Sequence, residues 1–379
     1  MTGIYLDHAA TTPMRPEAVA AMLPLLEGGF NPSSIHAHGR AARAALDAAR
    51  AEVARVLGAA PREIVFTGGG SEADVLAIVG AARARATDGR HVVVSAFEHH
   101  AVLRAADQLE AEGWNVTRLP VGSGVVDPAA VAAALRGDTT LVSIMLANNE
   151  IGTIAPLAEI AAAARARGVL VHTDAVQAAG WLDLDAGRLG VDLLTLSGHK
   201  VNGPKGVGAL YVRRGTPLAP QIVGGPQEHG LRAGTENLAG IAGFARALSL
   251  AEAERTEAAP RVAALRDRLQ AALAEVPGVF VLGAAAPRVP HVLAVAFRGR
   301  RSDALLMALD LEGVSASAGS ACAAGSLEPS HVVAALGLGP EDAAGVVRFS
   351  LGRTTSAAEV DAAAGIVRRV IGRIDAAGV

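Results

Sequence analysis

Cys322 is the single cysteine of the 379-residue chain and stands in Gly319-Ser320-Ala321-Cys322-Ala323-Ala324-Gly325-Ser326. A lone thiol forms no intramolecular disulfide and, by itself, no structural zinc site. A cysteine kept for packing sits in an apolar helix or strand. Gly, Ser and Ala at this density are instead the composition of an accessible loop. The residue types point to a displayed thiol, with nucleophilic sulfur chemistry as the candidate role and a chance cysteine as the alternative.

Five other constellations carry chemistry. Ser197-Gly198-His199-Lys200, followed by Val201-Asn202-Gly203-Pro204-Lys205-Gly206, puts a lysine just past an apolar strand among small and polar residues. Such an amine can form a Schiff base with a carbonyl cofactor, and Ser197 and His199 are candidate phosphate donors; a solvated surface lysine is the plain alternative. In Val171-His172-Thr173-Asp174-Ala175-Val176-Gln177, Asp174 directly follows an apolar run. A carboxylate there can pair with a protonated pyridine nitrogen and make the ring an electron sink, with Gln177 within reach of the same ligand; the alternative is an N-cap. Thr67-Gly68-Gly69-Gly70-Ser71-Glu72 lies between a strand and a helix, where free backbone N–H groups donate to phosphate. It matches neither the Walker A spacing nor Gly-x-Gly-x-x-Gly, and a tight turn is its alternative. In Glu98-His99-His100 a histidine past a strand end can stack on a flat ring or move protons. No Cys or acidic cluster stands at ligand spacing, so no metal is expected. Finally, Arg348-Phe349-Ser350-Leu351-Gly352-Arg353 offers a guanidinium fork for a carboxylate, against a surface salt bridge as the alternative.

The elements that must position these residues alternate. Strands are predicted at 63–67, 91–95, 114–119, 140–146, 169–172, 192–196 and 208–212, with helices at 71–85, 99–111, 128–135 and 156–167. Alternation of this kind predicts an α/β fold, a mostly parallel sheet covered by helices on both faces. The chemistry-bearing motifs fall at predicted strand C-termini or in loops that reach them, where open α/β sheets bind ligands. After Gly234 the pattern changes. Two long helices are predicted at 236–257 and 261–275, separated by Pro260, then strands at 292–297 and 346–351 with helices at 303–309, 330–336 and 356–374. The expected organisation is a large domain over 16–257 and a smaller α+β domain formed by 1–15 and 258–379.

Composition sets the outer limits. Hydrophobic residues are 51% and charged residues 19%, which excludes a disordered chain. The apolar count comes largely from alanine, and no run of about 20 apolar residues suggests a membrane span. The N-terminus lacks the basic and apolar regions of a signal peptide, so a cytoplasmic location is expected. A net charge of −3 supplies no basic field for nucleic acid.

Together the motifs closely resemble the pyridoxal-phosphate-dependent cysteine desulfurases of the class V aminotransferases. The resemblance rests on Ser-Gly-His-Lys, His-Thr-Asp-Ala-Val-Gln, Asn148-Asn149-Glu150-Ile151-Gly152, Arg232-Ala233-Gly234-Thr235-Glu236-Asn237 and Gly-Ser-Ala-Cys. Tyr5-Leu6-Asp7-His8-Ala9-Ala10-Thr11-Thr12-Pro13 and Asn31-Pro32-Ser33-Ser34 match as well. It spans nearly the whole chain, and the segment from Gly319 to His331 is similar to the branch with a long catalytic loop that serves iron–sulfur cluster assembly. The resemblance implies a fold type I transferase acting as a homodimer on L-cysteine. It implies that Lys200 holds pyridoxal 5'-phosphate, Asp174 pairs with the pyridine nitrogen, Gln177 bonds the ring oxygen and His99 stacks on the ring. Gly70, Ser71, Ser197 and His199 would hold the phosphate, with Thr235 reaching it from the partner subunit. Asn149 and Arg353 would bind the substrate carboxylate, and Cys322 would take the sulfur as a persulfide for a sulfur-acceptor protein. Departures are small: Gly70 and Ser71 stand where Ala or Thr and Thr are more usual, and Asp74 replaces a more usual Asn. An aminotransferase or lyase with an incidental Cys322, a selenocysteine lyase and a non-catalytic binding protein are the alternatives.

Overall fold

The computed structural model describes residues 3–28, 30–319 and 330–377. The strands in chain order are β1 (Ile4–Tyr5), β2 (Ile64–Thr67), β3 (His91–Ser95), β4 (Asn115–Leu119), β5 (Thr139–Ser143), β6 (Leu170–Asp174), β7 (Leu193–Ser197), β8 (Gly208–Val212), β9 (Val279–Val281), β10 (Val292–Phe297), β11 (Val314–Ser315) and β12 (Val346–Ser350). Seven of them form one sheet in the order β2-β8-β7-β6-β5-β3-β4. Only β8 pairs antiparallel with its neighbours, β2 and β7, so the other six strands run the same way.

The side-chain period of two explains why these short apolar runs become central strands. Val92 and Val94 of β3 join Val65, Leu141, Leu193 and Leu210 in one core, against residues of the helices Gly70–Ala84 and His100–Ala111. Val93 faces the other way with Phe66, Val142, Val171 and Leu194, and packs with the helices Ala37–Val56 and Leu157–Arg165. A second sheet, β12-β10-β9, is antiparallel. Leu293, Val295, Phe297, Val347 and Phe349 on one of its faces pack with the C-terminal helix Ala357–Ala377 in a third core. Val292, Ala294, Ala296 and Val346 on its other face join the core around Val93, which welds the two sheets together. No described helix is long and apolar enough to cross a membrane.

One expectation needs correction. The two helices predicted on either side of Pro260 are one helix, Leu238–Ala274, with the proline inside it. Proline removes one backbone donor and disfavours a helix interior. Here Phe244, Leu248, Ala251 and Ala258 are buried before it and Val262 and Leu269 after it. Packing on both sides carries the helix through its weak point. The expected domain boundary at 257–258 falls inside this helix.

Direction fixes where the chemistry can sit. Because β2, β3, β5, β6 and β7 run the same way, the loops leaving Thr67, Ser95, Ser143, Asp174 and Ser197 open at a single sheet edge. The loop after β2 is braced from below by Arg50. Its guanidinium donates to both carboxylate oxygens of Glu228, at 2.6 and 2.7 Å, and to the Ile64 carbonyl, while Glu228 also accepts the Phe66 N–H. Both side chains are almost fully buried. Removing one partner of such a pair strands the other's charge. Arg50→Ala is therefore expected to destabilise the fold by about 3–5 kcal/mol, read as a lowered midpoint in urea denaturation.

Candidate active site

Lys200 follows β7 in a short helical turn, Gly198–Lys200, and its ammonium donates to the Ala9 and Ala10 carbonyls at 2.6 and 2.8 Å. The N-terminal segment is thus one wall of a cavity of about 280 Å³. Lys200, Asp174, Gln177, His99, Asn149, Ser197, His199, Gly70 and Ser71 all line it, so nine of the residues singled out from the sequence converge on one site. Met145, Asp74 and Arg348 complete the wall.

Asp174 ends β6, buried, and accepts the Val176 N–H at 2.9 Å. Burial raises its pKa to about 6, against the Val176 N–H and the Lys200 charge, which favour the anion. Gln177 donates to the Ala9 carbonyl at 2.9 Å, and its Oε1 faces His291 Nε2 at 3.3 Å. His99 N-caps the helix His100–Ala111, its Nδ1 accepting the Ala101 N–H at 3.2 Å. That acceptor role leaves the proton of the neutral ring on Nε2. Burial, with Lys200, His100 and His331 nearby, lowers the His99 pKa to about 4 and keeps the ring neutral at physiological pH. His199 is held near Thr11 Oγ1 at 3.2 Å, and burial together with Lys200 and Lys205 lowers its pKa to about 4.

A more open recess of about 560 Å³ adjoins the cavity, lined by Gly68, Gly69, Gly70, Ser71, Ser197, His199 and Lys205. Gly70 starts the helix Gly70–Ala84, whose first turn presents unpaired N–H groups. A Cβ at Gly70 would meet Val176 Cγ2 at 3.2 Å and Ser197 Cβ at 3.4 Å, so glycine keeps this cradle open. A helix N-terminus with a lysine and two polar side chains suits a dianionic phosphate. Beside it, the facing Lys200 and Asp174 suit an aldehyde and a ring nitrogen, and the buried Asn149 Oδ1 has no hydrogen-bond partner among the described residues. The donor set therefore fits pyridoxal phosphate. Lys200 would take the carbonyl carbon, Asp174 the ring nitrogen and the Gly70 turn the phosphate.

Other expected residues lie elsewhere. Arg353 lines a small neighbouring recess that also touches Lys200, His8 and Trp181. Its guanidinium donates to the Gly180 and Ala251 carbonyls and to Glu254, over the Trp181 ring. The arginine on the main cavity wall is Arg348, donating to Asp7 and to the Asn149 carbonyl, each at 2.8 Å. Thr235 is exposed and lines neither cavity of its own chain. Cys322 lies outside the described residues. The residues that bracket its segment both meet Glu150: Ser330 donates to it at 2.5 Å, and a Cβ on Gly319 would lie 2.5 Å from the same oxygen.

Two site residues had no role from sequence. Asp74 is one helical turn on from Ser71, and that spacing, which places both on one face, is the signal that could have found it. Glu98 is fully buried; its carboxyl accepts Ser95 Oγ and the Met145 N–H and ties the β3 loop to the β5 loop. Asp74, His99 and Asp174 bring ligand atoms within 4.8 Å of one another, an arrangement that could hold a metal and that no sequence spacing announced, because three separate elements supply it.

Burial raises the Glu98 pKa from 4.5 to about 8, the Ser95 and Met145 bonds only partly opposing it. Between those values the folded chain holds a proton that the unfolded chain has released. Its contribution to stability is complete below the lower value and is lost as pH rises through the upper one. The slope reaches about 1.4 kcal/mol per pH unit. Glu98→Gln is expected to flatten the decline of unfolding free energy between pH 5 and 8, checked by denaturation at both ends of the range.

The family described as Aminotransferase class-V matches residues 4–363. A protein named cysteine desulfurase IscS from Dictyoglomus turgidum is 46% identical over 374 residues, 98% of this chain and 95% of that one. Another of that name from Methanosarcina thermophila is 45% identical over 373 residues, 98% of this chain and 92% of that one. A solved NifS-like protein superposes with a TM-score of 0.91 at 34% identity, covering 98% of this chain and all of that one.

Proposed function

The chain belongs to the class-V aminotransferase family, and on that premise we propose that it is a pyridoxal-phosphate-dependent cysteine desulfurase. It converts L-cysteine to L-alanine, takes the sulfane sulfur onto Cys322 as a persulfide, and passes it to an acceptor protein for iron–sulfur cluster assembly or other sulfur-containing products. The observation that carries this reading is Lys200 and Asp174 facing one cavity beside the phosphate-sized recess at Gly70, in a chain similar over nearly its full length to cysteine desulfurases.

Pyridoxal phosphate, when bound, supplies the electron sink that makes the bonds of the substrate's α and β carbons labile. The protein's residues do the rest. Asn149 and Arg353 bind the substrate carboxylate, Arg353 exchanging its present carbonyl partners for a bidentate one. The Cys322 thiolate attacks the substrate sulfur; a sulfur–sulfur bond forms, the carbon–sulfur bond breaks, and its electron pair stays on carbon, which is then protonated to give alanine. His99 keeps a proton on Nε2 at the cavity wall, and Lys200 provides the amine for proton transfer at the α carbon. Ser71, Ser197 and His199 hold the phosphate with the Gly70 turn, Gln177 bonds the ring oxygen, and Thr235 reaches the phosphate of the partner subunit in a cytoplasmic homodimer. The large unit, 16–257, holds the cofactor; the small unit, 1–15 with 258–379, brings Arg353 and Cys322. Two residues, Ser320 and Ala321, separate Cys322 from Gly319, so a fully extended chain spans roughly 10 Å between them.

Two variants test the assignment. Cys322→Ala is expected to keep the visible absorbance of the loaded protein while sulfide release from L-cysteine falls to background; undiminished release would leave the thiol incidental and favour an aminotransferase or lyase. Lys200→Ala is expected to lose the visible band and at least about 10²-fold in turnover together, measured by absorbance and alanine formation. A wild-type protein that stays colourless with added pyridoxal phosphate would favour a binding role.

A further inference from the structure

Asp74 sits on the inner face of the helix Gly70–Ala84, only 1% exposed, and its Oδ1 has no hydrogen-bond partner among the described residues. It lines the same cavity as Asp174, with its carboxyl oxygen within 4.8 Å of Asp174 and His99 ligand atoms. Two buried carboxylates at such a separation do not both ionise, because each anion raises the energy of the other in a poorly screened site.

The surroundings decide which one keeps the proton. Asp174 accepts the Val176 N–H and feels the Lys200 charge. Asp74 has the Thr195 hydroxyl, and the carboxyls of Asp174 and Glu98 oppose its ionisation. A possible countercharge is His172, whose Nε2 lies 3.6 Å from Asp74 Oδ1. That ring is committed elsewhere: Nε2 meets Thr195 Oγ1 at 3.0 Å and Nδ1 meets Ser143 Oγ at 2.8 Å. His172 is fully buried and its pKa is lowered to about 3, so it stays neutral, and His99 on the cavity side is neutral as well. Burial and Asp174 push the Asp74 carboxyl well above the usual range.

We propose that Asp74 is a positioning residue that sets the charge of the site: the Asp74–Asp174 pair holds a single proton, kept on Asp74, so the pair presents one negative charge, not two, to the ring nitrogen of the bound cofactor. The inference rests on the proposed function for what the charge acts upon, but the single proton belongs to the protein alone. An aspartic acid in this neutral form can still lose its proton. In alkaline solution the pair then gains a second charge and alters the cofactor's electronic environment.

Infrared spectroscopy of the protein loaded with pyridoxal phosphate, and of the stripped protein, tests this directly. Glu98 is a second buried acid, so Glu98→Gln serves as the background. In it one protonated-carboxyl carbonyl band is expected at neutral pH, and Asp74→Asn is expected to remove it. No band in the background, or a band that survives Asp74→Asn, would overturn the proposal. A pH titration of the visible absorbance is the second readout. The wild type is expected to show an alkaline step that Asp74→Asn lacks, and superimposable titrations would count against the proton on Asp74. If Asp74→Asn does not fold, isotope-labelled aspartate in the wild type reads the protonated carboxyl without a variant. Manganese is added in a separate arm; loss of the band on binding Mn²⁺ would make Asp74, His99 and Asp174 a metal site instead. Failure to take up pyridoxal phosphate would sink the proposed function yet leave the infrared result on the stripped protein standing.

Discussion

Desolvation of the Asp174 carboxylate is the constraint around which the site is arranged. The residue ends a central strand of a sheet covered on both faces, so its charge is far from water. An isolated anion there is unfavourable by several kcal/mol, and proteins answer with donors, countercharge or protonation. All three answers are present: the Val176 N–H, the Lys200 ammonium and the neighbouring acid Asp74. The direction of the strands makes this possible, since β6 and β7 run parallel and deliver Asp174 and Lys200 to the same edge. An antiparallel pairing at this point would have sent the lysine to the opposite end of the sheet.

The neutral histidines follow from the same desolvation. His99, His172 and His199 are buried near cations or apolar walls, and all three sit well below their ordinary pKa. A site whose imidazoles are uncharged leaves Lys200 as the dominant positive charge beside Asp174. Backbone carbonyls of Ala9 and Ala10 orient that ammonium without neutralising it. The electrostatic contrast across the cavity is therefore set by few groups, each with a distinct structural reason for its charge.

Sequence alone was informative where chemistry and local periodicity coincide. The β3 and β8 strands are apolar runs bounded by turn residues, and their limits match the prediction residue for residue. Lys200, Asp174, Gln177 and the Gly70 turn could be located because each follows an apolar strand. What could not be read depends on tertiary packing. Strands β1 and β11 are two residues each and exist only as partners of one another. The helix through Pro260 is held by burial on both sides, which no propensity scale contains. Arg348 and Arg353 share a motif, and only the three-dimensional path decides that the first faces the main cavity while the second rests on Gly180 and Ala251. Glu98 was invisible as an acid with a role because its Met145 partner comes from another strand's loop, and for Asp74 only the helical spacing from Ser71 gave a signal.

The N-terminal segment has a further consequence for how the protein is made. Asp7 binds Arg348, the His8 and Ala9 N–H groups donate to Ser350, and Ala9 and Ala10 receive Lys200. Contacts of this segment thus span 341 residues of chain. Until β12 has emerged, the wall beside Lys200 lacks its Arg348 and Ser350 anchors, although the large sheet that supplies most of the pocket is already synthesised. A nascent chain can fold that sheet early, but the wall of the coenzyme pocket is completed only once β12 has been made.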